Sequence, residues 1–146
     1  MSESTPRRPA FIPSVCYKDG PTALKWLEAA FGFKISEVLT DKQGKIVHAE
    51  MTHGDGVIMV GNEWADWTRS PASVGGVNTQ CLCVCVDDAD AHCARARAAG
   101  AKIVEEPKTN DYGDDYWADR SYRAEDPEGH QWWFMQRVRD QSPRAK

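Results

Sequence analysis

The feature that most constrains the fold is an internal repeat. Each half of the chain contains a short apolar strand, an acidic helix start, a helix and an exit of the form Gly-X-Lys-Ile, at residues 32–35 and again at 100–103. A strand, a turn rich in Asp and Gly, and a second strand follow at 48–60 and at 120–135. Pro presets φ in such turns, and Gly accepts positive φ. The repeat predicts two strand–helix–strand–strand–strand modules.

The repeat also sets the expected boundaries. We expect a flexible arm over residues 1–9 without the apolar segment of a signal peptide, a first module over 10–62, a connecting loop over 63–77, a second module over 78–138 and a flexible tail over 139–146. Within the second module, the apolar run 79–86 predicts a strand that is buried on both faces. Pro107 is expected to end a short strand that begins at Ile103.

Charge and cysteine content limit the partners. The net charge of −4 argues against nucleic-acid binding, and no apolar run is long enough to span a membrane. Five cysteines form an odd set without the spacing of a disulfide scaffold, which favours a reduced, cytoplasmic protein.

Three segments carry a family resemblance: the helix start at 86–88, the helix exit at 98–101 and the turn at 126–130. Together with the repeat, they resemble the vicinal oxygen chelate superfamily, in particular its glyoxalase and bleomycin-resistance-like proteins. The resemblance implies an α+β fold in which paired βαβββ modules form a curved, mostly antiparallel, open barrel-like sheet with a concave cleft.

The resemblance also implies four positions in the cleft that hold a divalent metal in the family's enzymes. Carried onto this sequence, they fall at Ile12, Met59, Cys81 and Trp133. None of these residues is a histidine or a carboxylate, and a thioether is a poor ligand for a hard divalent ion. We therefore expect no metal and no other cofactor.

Side chains alternate along a strand, so residues two apart share a face. This rule, with an overlay of the two hairpins, places His48, Glu50, Arg120 and Tyr122 in the cleft. His48, Glu50 and Tyr122 are the acid/base candidates, and the alternative is an exposed polar strand face. The residues expected to bind a ligand are Met59, Trp64, Trp67, Cys81, Tyr116, Trp117, Arg120, Tyr122, Gln131 and Trp133.

Cys81, Cys83 and Cys85 fall on one face of one strand, where neighbours stand ~6.6–6.8 Å apart. That geometry suits neither a disulfide nor a shared tetrahedral metal. We interpret the three as small apolar residues beneath a ligand or in the core. A reactive or soft-metal-binding Cys81 is the alternative.

The aromatic residues of the two long loops, around Trp64 and Trp117, suit either of two roles. They stack on a planar ligand or flank a cation near the loop aspartates, or they bury themselves in a homodimer interface. We expect a protein that binds or sequesters a small planar or cationic organic molecule, and not an enzyme. Two alternatives stay open: a lyase, isomerase or dioxygenase with a relocated metal or a metal-free acid/base site, and a purely structural module.

Overall fold

The structure, a computed structural model, describes residues 8–141. Residues 1–7 of the expected arm and 142–146 of the expected tail lie outside this range. The first half contains β1 (Ser14–Tyr17), α1 (Gly20–Phe31), β2 (Lys34–Thr40), β3 (Ile46–His53) and β4 (Gly56–Asn62). A short 3-10 helix (Pro71–Ser73) precedes β5 (Leu82–Cys85), α2 (Ala89–Ala98), β6 (Lys102–Asp111), β7 (Ala118–Glu125) and β8 (Gln131–Arg139). The predicted pair of βαβββ modules is confirmed.

Each module forms its own four-stranded mixed sheet. The strand orders are β1-β4-β3-β2 and β5-β8-β7-β6, with the first pair parallel and the others antiparallel. Among the described residues, no strand of one sheet is hydrogen-bonded to a strand of the other, so the sheets do not close into a barrel. No helix within residues 8–141 is long and apolar enough to cross a membrane.

Local signals explain where the helices begin and end. Asp19 caps α1 by accepting a hydrogen bond from the Thr22 N–H, and Gly32 ends the helix in the left-handed conformation. Asp88 caps α2 in the same way through the Ala91 N–H. These two caps are the acidic helix starts of the sequence repeat.

The two modules share one hydrophobic core on the helix side of both sheets. Phe31, at the end of α1, contacts the rings of Trp132 and Phe134 on β8, with centroids 5.5 and 4.6 Å away. Phe33 contacts Trp132 as well, at 5.6 Å. The first module therefore covers part of the second module's sheet. We call the opposite side of each sheet, which lies away from this core, its open face.

A buried carboxylate joins the modules at the edge of the core. Asp126 accepts hydrogen bonds from the Tyr17 hydroxyl at 2.6 Å and from Trp132 Nε1 at 3.1 Å. Its other oxygen accepts from the N–H groups of Glu128 and His130 and so holds the β7–β8 turn in shape.

Two predicted strands differ from the structure. β5 is not buried on both faces, because only its helix side packs against the core: Leu82 and Val84 are partly buried, whereas Cys83 and Cys85 are exposed. β6 continues through Pro107, because β6 is an edge strand and its register with β7 shifts between Glu105 and Lys108. An edge strand with such an irregularity tolerates a residue that lacks an N–H group.

Candidate binding site

The first module's open face carries a compact polar group. His48 and Glu50 alternate with the buried Ala49 and Met51 on β3, which places them on the open face, the side on which the cleft was expected. His48 Nε2 lies 2.6 Å from one carboxylate oxygen of Glu50, and Arg8 donates to the other oxygen at 2.6 Å. The hydrogen bonds from Arg8 and then from His48 lower the pKa of Glu50.

The pair formed by His48 and Glu50 is arranged for proton transfer. An ionised Glu50 favours the His48 form that carries its proton on Nε2, which leaves Nδ1 to accept a proton from another molecule. His48 and Glu50 thus have the geometry of a base and the group that orients it.

The second module's open face carries Trp133 together with a polar ladder. The Arg123 guanidinium lies 5.6 Å from the centre of the Trp133 ring, within cation–π range. Arg123 also donates to Gln131 at 2.7 Å and lies 3.6 Å from Glu105. The structure therefore brings Gln131 and Trp133 together, as predicted, and adds Arg123, which sequence reasoning missed.

A second aromatic–arginine pair lies near the start of β7. Arg137 stacks over Trp117 at 5.3 Å and donates to the buried Asp119 at 2.6 Å. Tyr116 meets the edge of Trp117 at 6.2 Å. Asp111 is paired with Arg139, which lowers the pKa of that carboxyl. Two of the aspartates predicted to attract a cationic ligand are thus already neutralised by arginine.

The predicted placement of Tyr122 and Arg120 in the cleft is wrong. Tyr122 is fully buried on the helix side, where it stacks on Phe134 at 5.1 Å and hydrogen-bonds His92. Arg120 turns toward α2 and pairs with Asp90.

The wrong placement arises because one turn has an even number of residues and the other has an odd number. The first hairpin has two residues between its last paired positions, 53 and 56, whereas the second has five between 125 and 131. An overlay of an even turn on an odd one inverts one strand, and every side chain on that strand changes face. Ser121 and Arg123 therefore occupy the open face of β7.

Trp64 and Trp67 lie apart from these groups. They contact each other edge to face at 5.1 Å, and their exposed fractions are 72% and 76%. Their loop is held against the second module at Ser70, whose hydroxyl donates to Glu128 at 2.6 Å. The structure does not bring these two rings to the other predicted ligand-binding residues.

A cavity of about 600 Å³, which we call the seam groove, lies between the modules. It is lined by the first hairpin (51–58), by β5 and the residues after it (82–87), and by Phe11, Pro13 and Phe33. Cys83 and Cys85 reach it from one open face, and Thr52 and Val57 reach it from the other. The predicted residues Met59, Cys81 and Trp133 do not line it.

Sequence reasoning missed most of this groove. Phe33 was part of the repeated Gly-X-Lys-Ile exit, and that position was the one available signal. His53 also lines the groove, where its Nε2 lies 3.1 Å from the carbonyl oxygen of Cys85 and its ring contacts Phe33. This contact closes one end of the gap between the first hairpin and the edge of β5.

The residues at the family's metal positions do not suit a hard divalent ion. In the observed registers, Met59 lies beside Ser14 and Trp133 lies beside Cys83, one pleat further along than the predicted Ile12 and Cys81. The corrected set still contains no histidine or carboxylate. Within residues 8–141, no cluster of three or more His, Cys, Asp or Glu side chains is arranged to hold a metal.

Comparison with known proteins identifies the family that has this architecture. The family model for the Glyoxalase/Bleomycin resistance protein/Dioxygenase superfamily matches residues 12–134. TioX from Micromonospora sp. ML1 is similar in structure, with 31% identity, a TM-score of 0.63, and coverage of 87% of this chain and 97% of TioX.

Two further proteins are similar. A glyoxalase/bleomycin resistance protein from Streptomyces sp. CB03234 shares the fold at 22% identity and a TM-score of 0.63, over 84% of this chain and 96% of that one. An uncharacterized protein of Mycobacterium tuberculosis is 28% identical over 136 residues, which cover 90% of this chain and 76% of that protein. The chain belongs to the Glyoxalase/Bleomycin resistance protein/Dioxygenase superfamily.

Proposed function

We propose that this protein binds and sequesters a small planar organic molecule in the seam groove and against the adjoining open face of the second module. The observation that carries the proposal is the groove itself. Its volume of about 600 Å³ falls within the range of small-molecule sites, and its lining is mainly apolar with a few polar groups such as His53 and Asp87.

Two features favour a planar ligand. Arg123 over Trp133 and Arg137 over Trp117 form flat stacked surfaces on the same sheet. Guanidinium and indole planes both stack on aromatic molecules. A cationic ligand has less support, since Asp111 and Asp119 are already paired with arginine.

We further propose that a second copy of the chain completes the site. Met59 and Trp133 do not line the seam groove, and both remain partly exposed on their open faces. Leu39 on β2 is the register partner of His48 and is half exposed on the first module's open face, which favours a covered surface. A homodimer in which the first module's open face packs against the second module's open face of the other copy would enclose the ligand. Sedimentation analysis with and without ligand tests this arrangement.

The direct test is a thermal-shift screen of planar aromatic compounds, followed by calorimetric titration of any hit. Val57→Trp fills the groove and is expected to abolish binding. Trp133→Ala should weaken binding about 10-fold, because a stacked aromatic pair contributes up to about 1.5 kcal/mol. Trp67→Ala, in the exposed loop, is the matched control and should leave affinity unchanged. Unchanged affinity in Val57→Trp would show that the ligand lies elsewhere.

A second candidate function rests on the His48–Glu50 pair. We propose as the alternative that the protein is a lyase, isomerase or dioxygenase of the same superfamily, in which His48 acts as a base oriented by Glu50 at 2.6 Å. Mass spectrometry of each compound after incubation with the protein separates the two functions. Turnover that disappears in His48→Gln/Glu50→Gln while binding persists supports the enzyme, and unaltered compounds support sequestration.

The cysteines bear on where the protein works. All five are free thiols in the structure. Free thiols persist in reducing compartments, so we infer a cytoplasmic location, which fractionation of the source cells tests directly.

A further inference from the structure

Four sulfur-containing side chains share the second module's open face. Cys81, Cys83 and Cys85 alternate along β5 and the residue before it, and all three are exposed free thiols. Met135 is the register partner of Cys85 on β8, and it projects to the same side because Phe134 is buried on the other. Neighbouring strands lie ~4.8 Å apart, so the Met135 thioether stands next to the Cys85 thiol.

The exposure of these thiols removes the reason to regard them as small core residues. Cysteine is usually buried and behaves as an inert hydrophobe, whereas these three residues are exposed, and two of them line the seam groove. By contrast, Cys93 on α2 is buried at 3% exposure, as a packing residue should be.

The spacing of the thiols selects what they can bind. Side chains two residues apart on a strand stand ~6.6–6.8 Å apart with parallel directions, which strains a disulfide. A tetrahedral zinc site requires four converging ligands, and this face offers them from only one direction. A two-coordinate ion requires only that its two sulfurs lie ~4.6 Å apart, about twice a metal–sulfur bond. Each sulfur then has to lean about 1 Å toward the other, which a χ1 adjustment provides.

We propose that Cys83 and Cys85, with Met135 as a third ligand, form a site for a soft cation with a filled d shell such as Cu(I). Thiolate and thioether ligands select such ions over hard divalent ones. The Met135 thioether distinguishes this pair from Cys81 and Cys83, because the register partner of Cys83 is Trp133.

Binding is an exchange of protons for the metal, without a change in oxidation state. Each thiol loses its proton as its sulfur forms a bond to Cu(I), so two protons leave and a bis-thiolate complex with one negative charge forms. In the free protein, burial and the neighbouring Cys85, Asp119 and Cys81 raise the pKa of the Cys83 thiol. This site requires no organic ligand in the seam groove.

The experiment is an anaerobic competition for Cu(I) between the purified, fully reduced chain and a chromogenic chelator, with native mass spectrometry for stoichiometry. The wild-type chain should withdraw one Cu(I) per chain. Cys83→Ser/Cys85→Ser should lose at least about 100-fold in affinity, and Met135→Leu about 10-fold. Cys81→Ser and Cys16→Ser are the matched controls, each of which removes an unprotected thiol and should change affinity by less than about 3-fold.

Several results would overturn the proposal. They are no withdrawal of Cu(I) by the wild type, a double variant that keeps its affinity, a loss in Cys81→Ser as large as in the double variant, or one ion per two chains. Thiol labelling of the wild type provides a second measurement that does not depend on variants. Cu(I) should protect Cys83 and Cys85 from alkylation while the exposed Cys81 stays reactive, and equal labelling of all three thiols would contradict the site.

Discussion

Replacement of Asp126 by alanine should cause one of the largest losses of stability available from a single polar side chain in this protein. Asp126 is 4% exposed and accepts hydrogen bonds from two buried side-chain donors, the Tyr17 hydroxyl and Trp132 Nε1. Alanine leaves both donors without a partner inside the protein. Each orphaned buried donor costs about 1–3 kcal/mol, so the free energy of unfolding should fall by about 4 kcal/mol.

The assay is equilibrium unfolding in urea, followed by far-UV circular dichroism because one of the affected groups is a tryptophan. With a slope of about 2 kcal/mol per molar urea, the midpoint should fall by about 2 M. Tyr17→Phe removes one hydrogen bond to a charged acceptor and should cost about 1.5–3 kcal/mol. Asp115→Ala, at an exposed position, is the control and should stay within about 0.5 kcal/mol.

The double variant Tyr17→Phe/Asp126→Ala decides whether the two residues act together. Because they share one hydrogen bond, their effects should not add, and the coupling should exceed about 1 kcal/mol. A loss below about 1 kcal/mol for Asp126→Ala, or additive effects within experimental error, would refute the reasoning. Either outcome would show that water replaces the carboxylate and that this contact does not hold the modules together.

Three further predictions concern stability. Burial lowers the pKa of His92 below its unfolded value of about 6.5, so protonation favours the unfolded state. Stability should therefore be constant above that pH and should decrease as the pH falls through it. His92→Gln should reduce this decrease when urea midpoints are compared across pH. Gly129→Ala should lower the free energy of unfolding by about 1–2 kcal/mol in thermal unfolding, because φ is 93° there and the new Cβ would lie 3.3 Å from Pro71. Gly44→Ala, also at positive φ but in open space, isolates the backbone contribution. Asp88→Ala should cost about 1 kcal/mol through the lost cap of α2, and Asp88→Asn should retain most of that stability.

Much of the fold was predictable because its signals are local and occur twice. Asp caps, Gly helix ends and Gly-containing turns act within a few residues, and their repetition at matching intervals specifies two βαβββ modules. The faces of β3 and β8 were also predictable, since strict alternation places His48, Glu50 and Trp133 opposite the buried residues between them.

The predictions that were wrong depended on turn lengths or tertiary contacts that cannot be read from a single sequence. The face of β7 depended on the number of unpaired turn residues, which is two in the first hairpin and five in the second, and this odd difference moved Tyr122 from the cleft to the core. An apolar run is taken as a strand covered on both sides, but coverage depends on which elements pack against each face of the sheet, so the prediction for Cys83 and Cys85 was wrong. The seam groove arises where one module meets the other, and no local pattern of either module describes it.

The contact between Tyr17 and Asp126 also forms late in synthesis, because the two residues are far apart in the chain. The two residues are 109 positions apart, and at roughly 5–20 residues per second their partners are separated by about 5–20 s of synthesis. During that interval Phe31 and Phe33 lack the surface of β8 that covers them in the finished protein. We therefore expect the nascent chain to expose this apolar surface until its last strand emerges, and expression yield to increase with chaperone supply.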